Sequence, residues 1–216
     1  MGADMNIADI YSDVTDLLLR NEVNDALELL KFCLKSHRDK YGTLHPLVTS
    51  TLHNIGIILL FAEMYDKVIK YFQQAASIRI ANLGIDHPEV CATMMKVGLI
   101  KVSQRDFDKA LVTFTQVLHS RRKALGYDHP QTVKVLNNIA CVHYECGGYV
   151  AASKSVEEAL EILRKSGAGN SRALLAMPIL LSNHGFVLSK RGLNQEASDA
   201  YREALDVQKS HHQTNH

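Results

Sequence analysis

The chain has 216 residues, of which 46% are hydrophobic and 22% charged, so a folded globular body is expected rather than a disordered tail. Lys plus Arg is 24 against 23 Asp plus Glu, and the net charge of +1 leaves no basic field to draw a nucleic acid. Aromatics make up only 6% and there is no Trp, which suits a core of Leu, Ile, Val and Ala on many helices.

Along the chain, Met1–Asp9 carries Asp4 and Asp9 and no basic start leading into an apolar run, so no signal peptide is expected. The longest apolar stretch, Ile55–Ala62, is too short to span a bilayer. No N-x-S/T sequon occurs. Cys33, Cys91, Cys141 and Cys146 show no disulfide framework and no C-x-x-C, so a reducing, cytoplasmic location is expected.

The main signal is self-similarity. Gly42-Thr43-Leu44-His45-Pro46 returns as Gly84-Ile85-Asp86-His87-Pro88 and as Gly126-Tyr127-Asp128-His129-Pro130, a step of 42 residues both times. Gly56, Gly98 and Ala140 keep the step as small residues, and Tyr65, Phe107 and Tyr149 keep it as aromatics. Phe72 and Phe114 keep it too, with Val156 after them. One period earlier, Ala26, Leu30 and Cys33 align with Val68, Phe72 and Ala75. Later, Asn183-His184-Gly185 aligns with Asn138-Ile139-Ala140 at a spacing of 45, which places three extra residues within Ser166–Ser171.

Each unit reads as two helices. Apolar residues follow a three-four spacing in Leu47–Ala62, Val90–Val102, Phe107–Leu125 and Val133–Tyr144. Each His-Pro is a sharp helix start, because Pro at the first helical position loses no hydrogen bond and disfavours helix at the residue before it. The Gly three residues ahead ends the preceding helix. No strand alternation competes. Five units are expected in a single array over 1–210, at approximately 1–44, 45–86, 87–128, 129–173 and 174–210, followed by a disordered His-rich tail at 211–216. The terminal units are atypical, as the ends of a stacked array are.

These residues resemble the tetratricopeptide repeat, which sets a small residue in the first helix and A-x3-F in the second. Gly98 goes with Ala110-x3-Phe114, Gly185 with Ala197-x3-Tyr201, and Ala140 with Ala152-x3-Val156. Val68 stands where Ala is usual, and Leu52, Met94, Leu136 and Leu181 replace the Trp. The 42-residue period is similar to the kinesin light chain repeat, above all from Asp128 to Ala140. The resemblance implies an all-α, tetratricopeptide-type α-solenoid, a right-handed superhelix of about five helix pairs. Kinesin light chains carry a heptad coiled coil ahead of the repeats. Here Ile7, Ile10, Val14 and Leu17 already belong to the array, so a short stand-alone relative or a fragment is expected.

The resemblance further implies a concave groove lined by the first helices, which takes an extended peptide or an amphipathic helix of a protein partner. Counted from the small residue, the groove candidates are His53 and Asn54 in the second unit and Lys96 in the third. The fourth adds Lys134, Asn137, Asn138 and Tyr144, and the fifth Asn183 and Phe186. Asn54, Asn138 and Asn183 share one position, and an amide offers a donor and an acceptor to a peptide backbone, unless it bonds neighbouring helix backbone or water instead. Lys96, Lys134 and Lys190 bias the groove toward acidic peptides, unless they are ordinary solvated charges. Ser50 and Met95 are also counted among the lining positions, and Ile57, Leu60, Leu99, Val102, Tyr144 and Phe186 make the groove partly apolar, unless they pack against the second helices.

His45, His87 and His129 read as helix-start residues, too far apart to share a metal. Cys141 and Cys146 lie about 140° apart on a helix, so they do not close on one ion. No metal, cofactor or catalytic residue is expected, since no phosphate loop, nucleophile elbow or zinc-protease motif occurs. The expected function is a non-enzymatic interaction scaffold; alternatives are a kinesin light chain-like cargo-adaptor fragment or a self-assembling structural element. A monomer is expected, with weak self-association as the other outcome, and no nucleic acid or membrane as partner. Gln195, Ser198, Asp199, Arg202, Glu203 and Asp206 give the last helix the polar outer face of a cap.

Overall fold

A computed structural model describes residues 7–166 and 171–214, and the side chains of 10–166 and 175–210. The chain divides into two compact units, Met1–Arg105 and Asp106–His216. The first holds α1 (Ile7–Leu19), α2 (Val23–Tyr41), α3 (Pro46–Phe61), α4 (Tyr65–Leu83) and α5 (Pro88–Ser103). The second holds α6 (Phe107–Leu125), a 3-10 turn at Pro130–Thr132, α7 (Val133–Glu145), α8 (Tyr149–Lys165), α9 (Ser171–Lys190) and α10 (Asn194–Thr214). Within each unit every helix packs on the next one in the chain. The architecture is an all-α, tetratricopeptide-type solenoid. Among the described residues there is no strand.

The long turns between pairs are one device used three times. Gly42, Gly84 and Gly126 close α2, α4 and α6 with φ of 85°, 82° and 92°, a left-handed conformation that costs a side chain energy and glycine nothing. Three residues on, the Nδ1 of His45, His87 and His129 accepts the backbone N–H of Leu47, Glu89 and Gln131, each at 3.2 Å. An imidazole therefore satisfies one of the orphan donors of the helix start, and Pro at the next position presents none. The histidines are caps.

The short turns within pairs use a second device that the sequence hid. Asn21, Glu63, Arg105, Gly147 and Gly192 all have φ between 56° and 78°, and they share one register position. Three of the five are not glycine, so nothing in the residue types announced it.

The core of each unit is the seam between helix pairs. Leu30, Leu52, Ile55, Val68 and Phe72 are fully buried in the first unit, and Phe114, Val117, Leu160 and Leu181 in the second. Burying a Leu or Phe of this kind stabilises by about 1.5–3 kcal/mol, which far exceeds any surface pair. Polar ties between successive second helices add register: Arg38 Nη2 donates to Gln74 Oε1 at 3.2 Å and Arg164 Nη2 to Glu203 Oε1 at 2.8 Å. Arg122 pairs likewise with Glu158. The sequence carries this ladder as Arg recurring at 38, 122 and 164.

Two boundaries differ from the sequence reading. The helix α10 runs on to Thr214, past Ser210 where a disordered tail was expected, because Lys209–Thr214 contains no Gly or Pro to end it. The helix α9 starts at Ser171 and continues through Pro178. The three extra residues were placed in Ser166–Ser171, of which 167–170 lie outside the described residues.

Candidate functional site

In the first unit the candidate residues lie on α3 and α5. Lys96 Nζ is 3.3 Å from His53 Nε2 and 5.6 Å from the centre of the Phe72 ring, and the His53 ring stands edge-on to the same Phe72 at 5.2 Å. Burial pushes the His53 pKa down to about 4, helped by the charges of Lys96 and then Arg79. Burial and Arg79 also lower Lys96. A neutral His53 accepts the ammonium at Nε2, so its own proton sits on Nδ1, a buried nitrogen with no partner. Arg79 is engaged elsewhere, by Thr93 Oγ1 at 2.6 Å and Glu89 at 3.2 Å. Asn54 is half-buried beside His53.

Here the groove differs from the simple count of positions. Lys96 turns inward to a ring and an imidazole and is only half-exposed, so it is not a freely solvated charge. Met95, counted among the lining residues, is 6% exposed and belongs to the core. Leu99 and Ser50 are exposed as expected, and Ile57, Leu60 and Val102 are half-buried.

In the second unit α7 and α9 bring together five of the nine candidates. Asn183 Nδ2 donates to Asn137 Oδ1 at 2.8 Å, and the rings of Tyr144 and Phe186 meet at 5.4 Å. Asn137 lines two recesses on this face. The first, about 670 Å³, is bounded by Lys134, Val133, Leu163, Ile179 and Leu180. The second, about 120 Å³, lies by Ala140, Cys141, Tyr144, Asn183 and Phe186. Lys134 is exposed at the rim of the first. Asn138 is half-buried, outside both linings, and its Nδ2 is buried without a partner.

Two of the inter-helix contacts share one register. The residue two before the small position of one repeat reaches the residue three before it in the preceding repeat: Lys96 to His53 and Asn183 to Asn137. That pairing is legible only once the repeats are superposed.

One cluster merits a chemical test. Ser153 Oγ lies 3.2 Å from His184 Nε2, and Glu157 Oε1 approaches that same nitrogen at 3.2 Å. A nucleophile, base and orienting acid need the acid on the other ring nitrogen. Ser153 is also 1% exposed, donates to Glu157 at 2.7 Å and accepts from Arg191 at 3.0 Å. The cluster ties α8 to α9. Among the described residues no group of three or more His, Cys, Asp or Glu is arranged to hold a metal, and no helix is long and apolar enough to cross a membrane.

The sequence pattern of the tetratricopeptide repeat matches residues 15–81 and 89–165. No curated protein matches the chain in sequence. Among solved structures, BtubC (BKLC) from P. vanneervenii is similar with a TM-score of 0.81 at 17% identity, covering 95% of this chain and 81% of that one. The nearly identical repeats of a Podosopora anserina putative kinesin light chain are similar at 0.77 and 16% identity, covering 97% and 98%. A MamA fragment from Desulfovibrio magneticus RS-1 is similar at 0.64 and 12%, covering 93% and 94%. At such identities the likeness is one of fold. With the repeat pattern matched over most of its length, and a fold like that of the P. anserina repeats, the chain belongs to the tetratricopeptide repeat family.

Proposed function

We propose that the chain is a non-enzymatic interaction scaffold whose first-helix faces hold an extended peptide or an amphipathic helix of a protein partner. The repeat fold supports a scaffold role in general. The groove assignment is carried by one observation: Ile179 and Phe186 remain 62% and 53% exposed on the α9 face that also holds the Asn137–Asn183 amide pair. Apolar side chains left in water beside unsaturated amides suit a ligand that brings both apolar groups and backbone. Packed helices hold this face in place, so a flexible partner bears most of the ordering cost. The four free thiols agree with a reducing, cytoplasmic setting, and the five helix pairs are taken as one monomeric array.

Affinity capture with mass spectrometry tests the groove. Wild type is compared with an Asn54→Ala, Asn138→Ala, Asn183→Ala triple variant of matched melting temperature. Partners lost only from the variant establish the first-helix face as the site; identical lists sink it. Light scattering decides the assembly reading, since a concentration-independent monomer removes it. A cargo-adaptor role is the second reading, favoured by the likeness to the P. anserina repeats, and a motor subunit among the groove-dependent partners would select it.

A further inference from the structure

The second helices of successive repeats share one rung register, and the rungs differ in charge. Where Arg38 and Gln74 stand, the later repeats carry Ile80 and Gln116, Arg122 and Glu158, then Arg164 and Glu203. Arg122 and Arg164 each pair with a carboxylate. Arg38 instead donates Nη2 to the neutral amide oxygen of Gln74 at 3.2 Å. The Nε atoms of Arg38 and Arg122 are alike, both buried without a partner, so the carboxylate is what separates the two rungs. In the first unit a half-buried guanidinium thus carries a charge that no acid offsets.

Arg38 lines a recess of about 460 Å³ between α2 and α4, and its walls offer more of the same chemistry. Lys70 adds a second cation, Thr43 a hydroxyl, and Gln73 and Gln74 their amides. Ser77 spends its hydroxyl proton on the Gln73 carbonyl at 3.0 Å. Among the described residues no Asp or Glu lines this recess. Asp39 adjoins Arg38 in sequence, but lies about 100° round the helix and outside the lining.

Two cations decide the ligand. A carboxylate brings one negative charge and two oxygens, and compensates one of them. A phosphoserine brings about −1.5 to −2 charges and three strong acceptor oxygens, enough for a guanidinium, an ammonium and a neutral donor together.

The recess continues along the same two helices. Lys70 also borders a second one of about 830 Å³, which holds Lys31 and Lys67 beside Leu27, Leu59 and Ile69. Its two acids are Glu28 and Asp66, and Asp66 already accepts from Gln104 Nε2 at 3.1 Å. Lys31 and Arg38 are seven residues apart on α2, about 10 Å, which an extended chain covers in about three residues. A free anion fills the first recess and leaves the second empty, whereas a chain bearing the phosphate runs on into it.

The structure assigns to this α2–α4 valley a phosphorylated segment of a protein partner, its phosphoryl group held by Arg38 and Lys70. The site rests on the scaffold reading above but lies on the second helices, apart from the first-helix groove.

Degenerate peptides with phosphoserine at a fixed central position are passed over the immobilised full chain in physiological salt, beside matched pools centred on Ser and on Asp. The phosphoserine pool is expected to be retained about tenfold or more over both. Gln74→Glu copies the later rungs, so the chain should melt no lower while retention falls to the level of the Ser pool. Lys70→Gln, at an exposed position, should weaken retention without adding an acid. The Asn54→Ala, Asn138→Ala, Asn183→Ala variant should retain the pool in full. Equal retention of the phosphoserine pool and either of the others overturns the inference. Phosphopeptides indifferent to both Gln74→Glu and Lys70→Gln overturn it too. Loss of the phosphopeptides from the triple Asn variant overturns it while leaving the groove standing. Displacement of the pool by inorganic phosphate at equal concentration overturns the segment in favour of a free anion. Pelleting with phosphatidic acid vesicles, without retention of phosphopeptides, overturns it in favour of a membrane.

Discussion

Gly185 lies against the ring of Tyr201 so closely that a Cβ on it would come within 2.8 Å of the ring edge. The second repeat repeats the fit, with Gly56 and Phe72 at 3.0 Å. In the fourth repeat the ring is replaced by Val156, and the small residue grows to Ala140, with both still buried. Small residue and ring are thus sized to each other within a repeat. Gly185→Ala is expected to cost about 1–3 kcal/mol in urea unfolding, since the ring must leave its rotamer or the helices must part. Adding Tyr201→Val, which copies the Ala140–Val156 pair, should recover part of the loss. A double variant no more stable than the single one would show that the ring is not the obstacle.

The stability of the first unit should fall with acid in a window set by His53. Its folded pKa is about 4 against an ordinary 6.5, so between these values the unfolded chain binds the extra proton. Stability is therefore full above pH 6.5, declines as pH falls toward 4, and stops declining on this account below that. Allowing for solvent screening of a half-buried ring, the loss is on the order of 1–2 kcal/mol. His53→Gln keeps an acceptor for Lys96 but does not titrate, so its midpoint should move less between pH 7 and 4.5 than that of wild type. Equal slopes would remove His53 as the cause.

The 42-residue step, the His-Pro caps and the helix pairs were legible in the sequence because each depends on residue type at a fixed spacing. Gly42 and His45 each have one strong local reason to be where they are. The site was legible only in outline. Asn137, Asn183, Tyr144 and Phe186 do share one face, but the direction of a long side chain is set by its neighbours. Lys96 could be counted into a groove, yet it turns toward Phe72 and His53 because those are the groups beside it. Met95 is apolar at a groove position and packs inward. The Asn137–Asn183 pair on the α7–α9 face needed two repeats held at a known separation, which spacing along one chain does not supply.

Glu63 sits at φ 56° in the short turn between α3 and α4, where Gly147 and Gly192 stand in the later repeats. A β-branched side chain tolerates that conformation worst. Glu63→Val should destabilise by about 1 kcal/mol or more, whereas Glu63→Gly should be neutral to stabilising, because relief of the backbone offsets glycine's greater freedom when unfolded. Thermal melts of the two variants check the order. If Val is tolerated as well as Gly, the left-handed turn is not a constraint at this repeat.

The arginine ladder should not be uniform. Arg164 and Glu203 have side chains 54% and 44% exposed, so solvent screens the pair and the cost of ordering two long side chains offsets much of the attraction. Arg122 is 19% exposed, pairs with Glu158, and lies 5.1 Å from the centre of the Tyr127 ring. A desolvated guanidinium held by a carboxylate and a ring face contributes more than a solvated one, and an ammonium does not reproduce its planar stacking. Arg122→Ala is expected to cost about 1–2 kcal/mol and Arg164→Ala under about 0.5 kcal/mol, with Arg122→Lys closer to the Ala value than to wild type. Because repeat arrays open locally, amide hydrogen exchange should place the loss in α6 and α8. Equal costs at the two arginines would mean that burial and the Tyr127 ring add nothing to the rung.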